Sequence, residues 1–177
     1  MNLSTVEQAI CYDFNNRDLL AQSLTHRSFG TTNNERLEFL GDSVLNCVIA
    51  EALCQRYASV REGDLSRLRA NLVRQETLAD IAKLINLGDQ LRLGEGEMRS
   101  GGFRRPSILA DALEAVFGAV FLDGGFGQAR KAILRLYDPF LAGIDPSRSG
   151  KDPKTALQEH LQGRHMALPQ YHLKATH

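Results

Sequence analysis

Apolar residues recur at helical spacing through most of the first 145 positions of this 177-residue chain, and nowhere in that stretch do apolar and polar residues alternate cleanly. That periodicity constrains the body to an all-α fold. It predicts short helices over 4–10 and 17–24, the second with Asn16 as N-cap, and a long helix from Asn33 or Asn34 to about Tyr57. Further helices are expected over 64–73, 76–86, 106–122 and 127–141. Pro106 suits a first turn, and Gly88 and Gly124 suit helix ends.

Two stretches read as irregular. Residues 94–102 (GEGEMRSGG) read as a flexible loop, and 143–151 (GIDPSRSGK) as a linker. A body over 1–142 is therefore followed by a tail over 152–177, with a helix expected at 152–162 and a strand beginning near 170–174. The tail is too short to build a core of its own.

Composition enters through what it excludes. No apolar run reaches the ~18 residues a membrane span needs, and the first residues lack the basic start of a signal peptide. A cytoplasmic protein with no membrane partner is expected. Cys11, Cys47 and Cys54 have no metal-ligand spacing; Cys47 and Cys54 fall within an apolar helical pattern and are expected to be small buried hydrophobes. The net charge of zero hides an asymmetry: residues 1–145 hold 16 basic and 19 acidic side chains, and residues 146–177 hold 5 and 2. A basic tail on a mildly acidic body is compatible with an anionic partner.

The long helix carries Glu35, Glu38 and Asp42, three and then four residues apart, so that all three share one face. Like charges at this spacing repel unless a cation compensates them. Gly41 sits among them, at a cost of about 1 kcal/mol relative to Ala unless something must approach closely. Asp111 and Glu114 form a second acidic pair on the strongly apolar helix over 106–122. Carboxylate oxygens of this kind suit Mg²⁺, a hard cation that takes few protein ligands. Spacing alone leaves two readings open, a solvated acidic face and a metal site.

The segment at 34–45, NERLEFLGDSVL, closely resembles the signature of the ribonuclease III family. The likeness continues through LTHRS (24–28), EGDLSRLRANLV (62–73), LRLGEGEMRSGG (91–102) and ILADALEAVFGAVFL (108–122). The tail segment KDPKTALQEHLQG (151–163) resembles the opening of the family's α/β double-stranded-RNA-binding domain, here expected to be cut short. The resemblance covers essentially the whole chain.

What it implies is an all-α ribonuclease III endonuclease domain that works as a homodimer. By position, Glu38, Asp42, Asp111 and Glu114 match the metal-binding carboxylates, Asp42 and Glu114 being also catalytic. Glu35 and Glu62 match auxiliary acids, and Phe39 matches an aromatic that enters a pocket of the partner subunit. His26, in LTHRS, is expected to be scaffolding. Gln158 and Gln162 match residues that read the minor groove of A-form RNA, and Arg67, Arg69, Arg74, Arg99, Arg104 and Arg105 are candidate phosphate contacts. The implied reaction is Mg²⁺-dependent hydrolysis of double-stranded RNA, with Mn²⁺ as a substitute ion, by in-line attack of water. It leaves 5′-phosphate and 3′-hydroxyl ends and short 3′ overhangs, on ribosomal RNA precursors and other structured transcripts. A non-catalytic RNA-binding module on the same fold would be favoured by loss of a metal-site carboxylate, and all four are present. A small-nucleotide phosphohydrolase would carry an adjacent His-Asp pair or a phosphate-cradling glycine motif, and neither occurs.

Overall fold

The structure is a computed structural model that describes residues 3–144 and Leu161. The chain divides into a unit of Met1–Ile144 and a second of Asp145–His177. Most of the expected linker, the tail helix and strand, and Gln158 and Gln162 lie outside the described residues.

The described body is all-α, as the periodicity requires. In chain order the helices are α1 (Leu3–Ile10), α2 (Arg17–Ser23), α3 (Glu35–Arg56), α4 (Glu62–Leu72), α5 (Gln75–Leu84), α6 (Glu95–Arg99) and α7 (Pro106–Ala142). Single turns of 3₁₀ helix at Leu87–Gln90 and Gly102–Arg104 join the last three. Among the described residues the sole β-type pairing is an isolated bridge between Thr25 and Arg92.

Helix α7 is the axis of the core, and α2, α3 and α5 all pack on it. Its first half is buried on nearly every side through Ile108, Leu109, Leu113, Val116, Phe117 and Val120. The interspersed Ala112, Ala115 and Ala119, also fully buried, keep it thin enough for neighbours to surround it. Each buried Leu, Val or Phe contributes roughly 2 kcal/mol of transfer free energy. Helix α3 buries one face on α7 through Leu37, Val44, Leu45, Val48 and Ile49 and leaves the other to solvent.

Local chemistry sets the element ends. The Asn16 side chain accepts the Asp18 N–H at 3.0 Å, so the expected N-cap of α2 is made. Asn34 precedes α3, and the Asn33 Oδ1 accepts the Glu35 N–H at 3.1 Å. The two helices expected over 106–122 and 127–141 form one run, broken at Gly125, whose φ of 77° and ψ of 178° are not helical. Only glycine adopts that conformation without strain. Before the break, Asp123 accepts the Tyr12 hydroxyl at 2.7 Å and the backbone N–H groups of Asn15 and Asn16, pinning the α1–α2 connection to α7. Beyond it, Arg130 donates to Glu51 at 2.7 Å and ties the second half to α3.

Three expectations are corrected. The segment 94–102 is not a flexible loop: α6 occupies its centre, closed by an Arg99–Glu95 pair at 3.2 Å and anchored where the Gly94 N–H donates to the Ser28 hydroxyl at 3.0 Å. Gly94, Gly101 and Gly102 flank the helix, and Gly96 sits within its first turn without dissolving it. Gly88 does not end a helix but lies inside the 3₁₀ turn. Cys47 and Cys54, like Cys11, are exposed. They are seven residues apart on α3, so they share a face, and that face is the one turned away from α7.

Candidate metal centre

The site is built where α3 crosses α7. A Cβ at Gly41 would run into the backbone carbonyl of Glu114, and a Cβ at Gly118 into that of Leu37. Neither obstacle can rotate away, because each is main chain. The mid-helix glycine that looked costly in the sequence is what lets the two backbones touch. Glu38, one turn before Gly41, and Glu114, one turn before Gly118, are thereby brought face to face.

Glu38, Asp111 and Glu114 each offer a carboxylate oxygen, and these atoms all lie within 4.8 Å of one another. All three side chains are half-buried. Burial pushes the Glu114 carboxyl up to about 8, helped by the charges of Asp42, Glu38 and Asp111. Glu38 is raised by burial and then by Asp111 and Glu35, with Arg27 opposing. Asp111 is raised by burial, against the charges of His26 and Arg27. Asp42 stands outside the three-oxygen cluster, and its Oδ1 accepts the Asn46 side-chain amide at 2.8 Å. Without a cation this arrangement is electrostatically unfavourable; with one, the same repulsion becomes affinity.

The cluster opens into a cleft of about 360 Å³ that includes Glu35, Glu38 and Asp111 on its lining. His26, Arg27 and Arg105 border the same cleft. Arg27 pairs with Glu35 at 3.4 Å and Arg105 with Glu97 at 2.9 Å. The His26 Nδ1 accepts the Ser28 N–H at 3.2 Å and lies 2.8 Å from the Ser28 hydroxyl, which in turn receives Gly94. That nitrogen therefore ties the α2–α3 connection to the start of α6, the scaffolding task expected of it.

Not every expected residue reaches this cleft. Glu62, at the start of α4, accepts the Ser66 hydroxyl at 2.6 Å and borders a different, apolar pocket of about 170 Å³ between α3 and α4. Phe39 is 79% exposed, although it lies between two residues of the buried face. Of the six arginines expected to meet phosphate, Arg105 borders the cleft; Arg67 is held by Asp64 at 2.7 Å, and Arg104 covers the Phe103 ring at 4.9 Å. Arg74 and Arg99 pair with Glu76 and Glu95, and Arg69 lines the Glu62 pocket. Arg27 was missed. It lies in a turn, outside any periodic pattern, and no spacing rule connects it to residues on α3 and α7.

The donor set fits a hard divalent cation. Three convergent carboxylates, half-buried and open to a polar cleft, leave coordination positions for water and phosphate.

Comparisons with known proteins agree on one family. A family model described as Ribonuclease-III-like matches residues 16–139. A curated relative called Ribonuclease 3, from Thiobacillus denitrificans, is 65% identical over 97% of this chain and 76% of its own length. Another of that name, from Bordetella pertussis, is 62% identical over 100% of this chain and 69% of its own. The crystal structure of the nuclease domain of ribonuclease III from Campylobacter jejuni superimposes with a TM-score of 0.77 at 47% identity, covering 81% of this chain and 99% of that one. A second structure of that domain, described for flexibility in a region involved in dimer formation, gives 0.76 over 78% and 97%.

Proposed function

The chain belongs to the ribonuclease III family and is an endoribonuclease, and on that premise we propose that it hydrolyses double-stranded RNA at the α3–α7 crossing with the help of Mg²⁺. The observation that carries the reading is the convergence of Glu38, Asp111 and Glu114 within 4.8 Å. These three residues would hold Mg²⁺, or Mn²⁺ in its place. When bound, a divalent cation makes water a stronger nucleophile at neutral pH and offsets charge on the leaving oxygen.

The side chains do the rest. Glu114, half-buried and pushed up to about 8 by burial and its acidic neighbours, would hold the cation through its carboxylate. Asp42 has Oδ1 engaged by Asn46, and its other oxygen accepts a proton of the attacking water and sets its line of approach. The water oxygen bonds to phosphorus, the bond from phosphorus to the 3′ oxygen breaks, and that oxygen takes up a proton. The ends are 5′-phosphate and 3′-hydroxyl.

Two such sites, one per subunit of a homodimer, cut opposite strands and leave short 3′ overhangs. Support for the dimer comes from complementary features on one chain. Phe39 is 79% exposed, and the pocket between α3 and α4 is lined by Ala50, Leu53, Cys54 and Leu65. A second copy seats its Phe39 there. Glu62 borders that pocket, so it then lies near the partner's cleft, where it serves as an auxiliary acid.

Residues 1–142 act as the catalytic domain, 143–151 as a linker, and 152–177 contribute RNA-binding-domain contacts through Gln158 and Gln162. The substrates are ribosomal RNA precursors and other structured transcripts in the cytoplasm. Among the described residues no helix is long and apolar enough to cross a membrane.

The test is cleavage of end-labelled duplex RNA with Mg²⁺ or with a chelator, against single-stranded RNA of the same sequence. Cutting of the duplex alone, with Mg²⁺ alone, giving 5′-phosphate ends and abolished in Glu114→Gln, is the expected result. Undiminished cutting by Glu114→Gln overturns the assignment.

A further inference from the structure

We propose that Arg27 and Arg105 form a two-arginine seat for an RNA backbone phosphate next to the scissile one, each held in place by its own carboxylate, Glu35 and Glu97. The inference rests on the ribonuclease reading and adds to it the residues that receive the substrate strand.

The cleft presents a problem of charge. Glu35, Glu38, Glu97 and Asp111 all line it, yet the proposed ligand is a polyanion. Arg27 and Arg105 are the permanent cations among its lining residues, and they come from separate parts of the chain. Arg27 lies in the turn before α3, and Arg105 caps the start of α7, so each stands at the entry of a helix that carries metal-site carboxylates.

Both guanidinium groups keep capacity for a ligand. Arg27 has its Nη1 3.4 Å from Glu35 and remains 71% exposed. Arg105 has its Nη1 2.9 Å from Glu97, donates from Nη2 to the Ser100 hydroxyl at 3.2 Å, and is 44% exposed. A guanidinium carries five N–H donors in a fixed fork that matches two phosphate oxygens. One or two contacts to the protein leave the rest for the ligand.

The carboxylate partners explain why the arginines point where they do. A long free side chain must give up rotamer freedom to bind, and an existing ion pair removes part of that loss beforehand. Glu35 thereby gains a specific task. It is outside the three-oxygen cluster and touches Arg27 instead, so it is a positioning residue for Arg27.

The experiment is steady-state cleavage of duplex RNA by the full chain across a salt series. Wild type is compared with Arg27→Gln, Arg105→Gln, the double variant, the two Arg→Lys variants and Glu35→Gln. Each Arg→Gln change should raise KM about tenfold with kcat nearly unchanged. Each should also reduce the slope of log KM against log salt by about one, and the double variant by about two. Arg→Lys should keep the slope while recovering only part of the KM, because charge returns without the fork. Glu35→Gln should raise KM about threefold and leave the slope intact, since the cation remains. Thermal unfolding checks that each variant is folded, and the Lys variants carry the test if a Gln variant is not.

A wild-type chain that cuts duplex RNA while both Gln variants match it in KM and salt slope overturns this proposal alone. A fall in kcat at constant KM overturns it too, because it places the arginines in the chemical step. A wild-type chain that does not cut duplex RNA overturns the ribonuclease reading, and this inference with it.

Discussion

The backbone carbonyl of Glu114 occupies the space a side chain at Gly41 would need. Contact between main chains at this point sets the separation of α3 and α7, and so sets the distance between Glu38 and Glu114. Gly41→Ala should therefore act on stability and on the site together. Forcing a methyl against an immovable carbonyl should cost roughly 3 kcal/mol, lowering Tm by about 10 °C, and should abolish stabilisation by added Mg²⁺. Differential scanning calorimetry with and without Mg²⁺ reads both effects; a variant with the wild-type Tm would show that the crossing has room to spare.

Protonation at Glu114 links metal to pH. Its folded-state value of about 8 lies above the ordinary 4.5. The stability this proton confers is fully present below about pH 4.5 and is lost as pH rises through about 8. Metal-free protein should accordingly lose about 4 kcal/mol between pH 5 and pH 8.5, roughly 12 °C in Tm from this group. Mg²⁺ should restore the loss, with a larger effect at pH 8.5 than at pH 5. Glu114→Gln, which keeps the shape without the charge, should flatten the metal-free profile over this interval. A profile for Glu114→Gln parallel to wild type would place the titrating group elsewhere.

Phe39 should act on assembly rather than on folding. Its ring is 79% exposed in the single chain, so Phe39→Ala removes little that the monomer needs. Truncating a central aromatic anchor costs about 2 kcal/mol or more, so dimer dissociation should strengthen by roughly thirtyfold. Sedimentation equilibrium measures this directly. An unchanged dissociation constant, or a wild-type chain that is monomeric throughout, would remove Phe39 from the interface.

The parts of the structure that could be read from the sequence are those governed by local rules. Helical periodicity located α1, α2, α3 and both halves of α7, and Asn16 marked its cap, because these depend on neighbours within a few residues. The carboxylates of α3 and α7 could be paired only through the family resemblance, since spacing within one helix carries no information about which helix it will cross. Gly41 was the one physical hint, an unexplained cost that the Glu114 carbonyl accounts for. Cys47 and Cys54 misled because their neighbours are apolar; their own face looks away from the core. Arg27 left no periodic trace at all. Residues in turns reach a site through tertiary geometry, which no local pattern records.

Glu38, Asp111 and Glu114 should together hold a divalent cation. Mn²⁺ titration followed by electron paramagnetic resonance tests this without any dependence on RNA. The wild-type chain should bind Mn²⁺, with Mg²⁺ competing. Glu114→Gln should weaken binding at least tenfold, by the loss of about 1.4 kcal/mol or more from one charged ligand. Equal Mn²⁺ affinity in wild type and Glu114→Gln would contradict the assignment of this crossing as the metal centre.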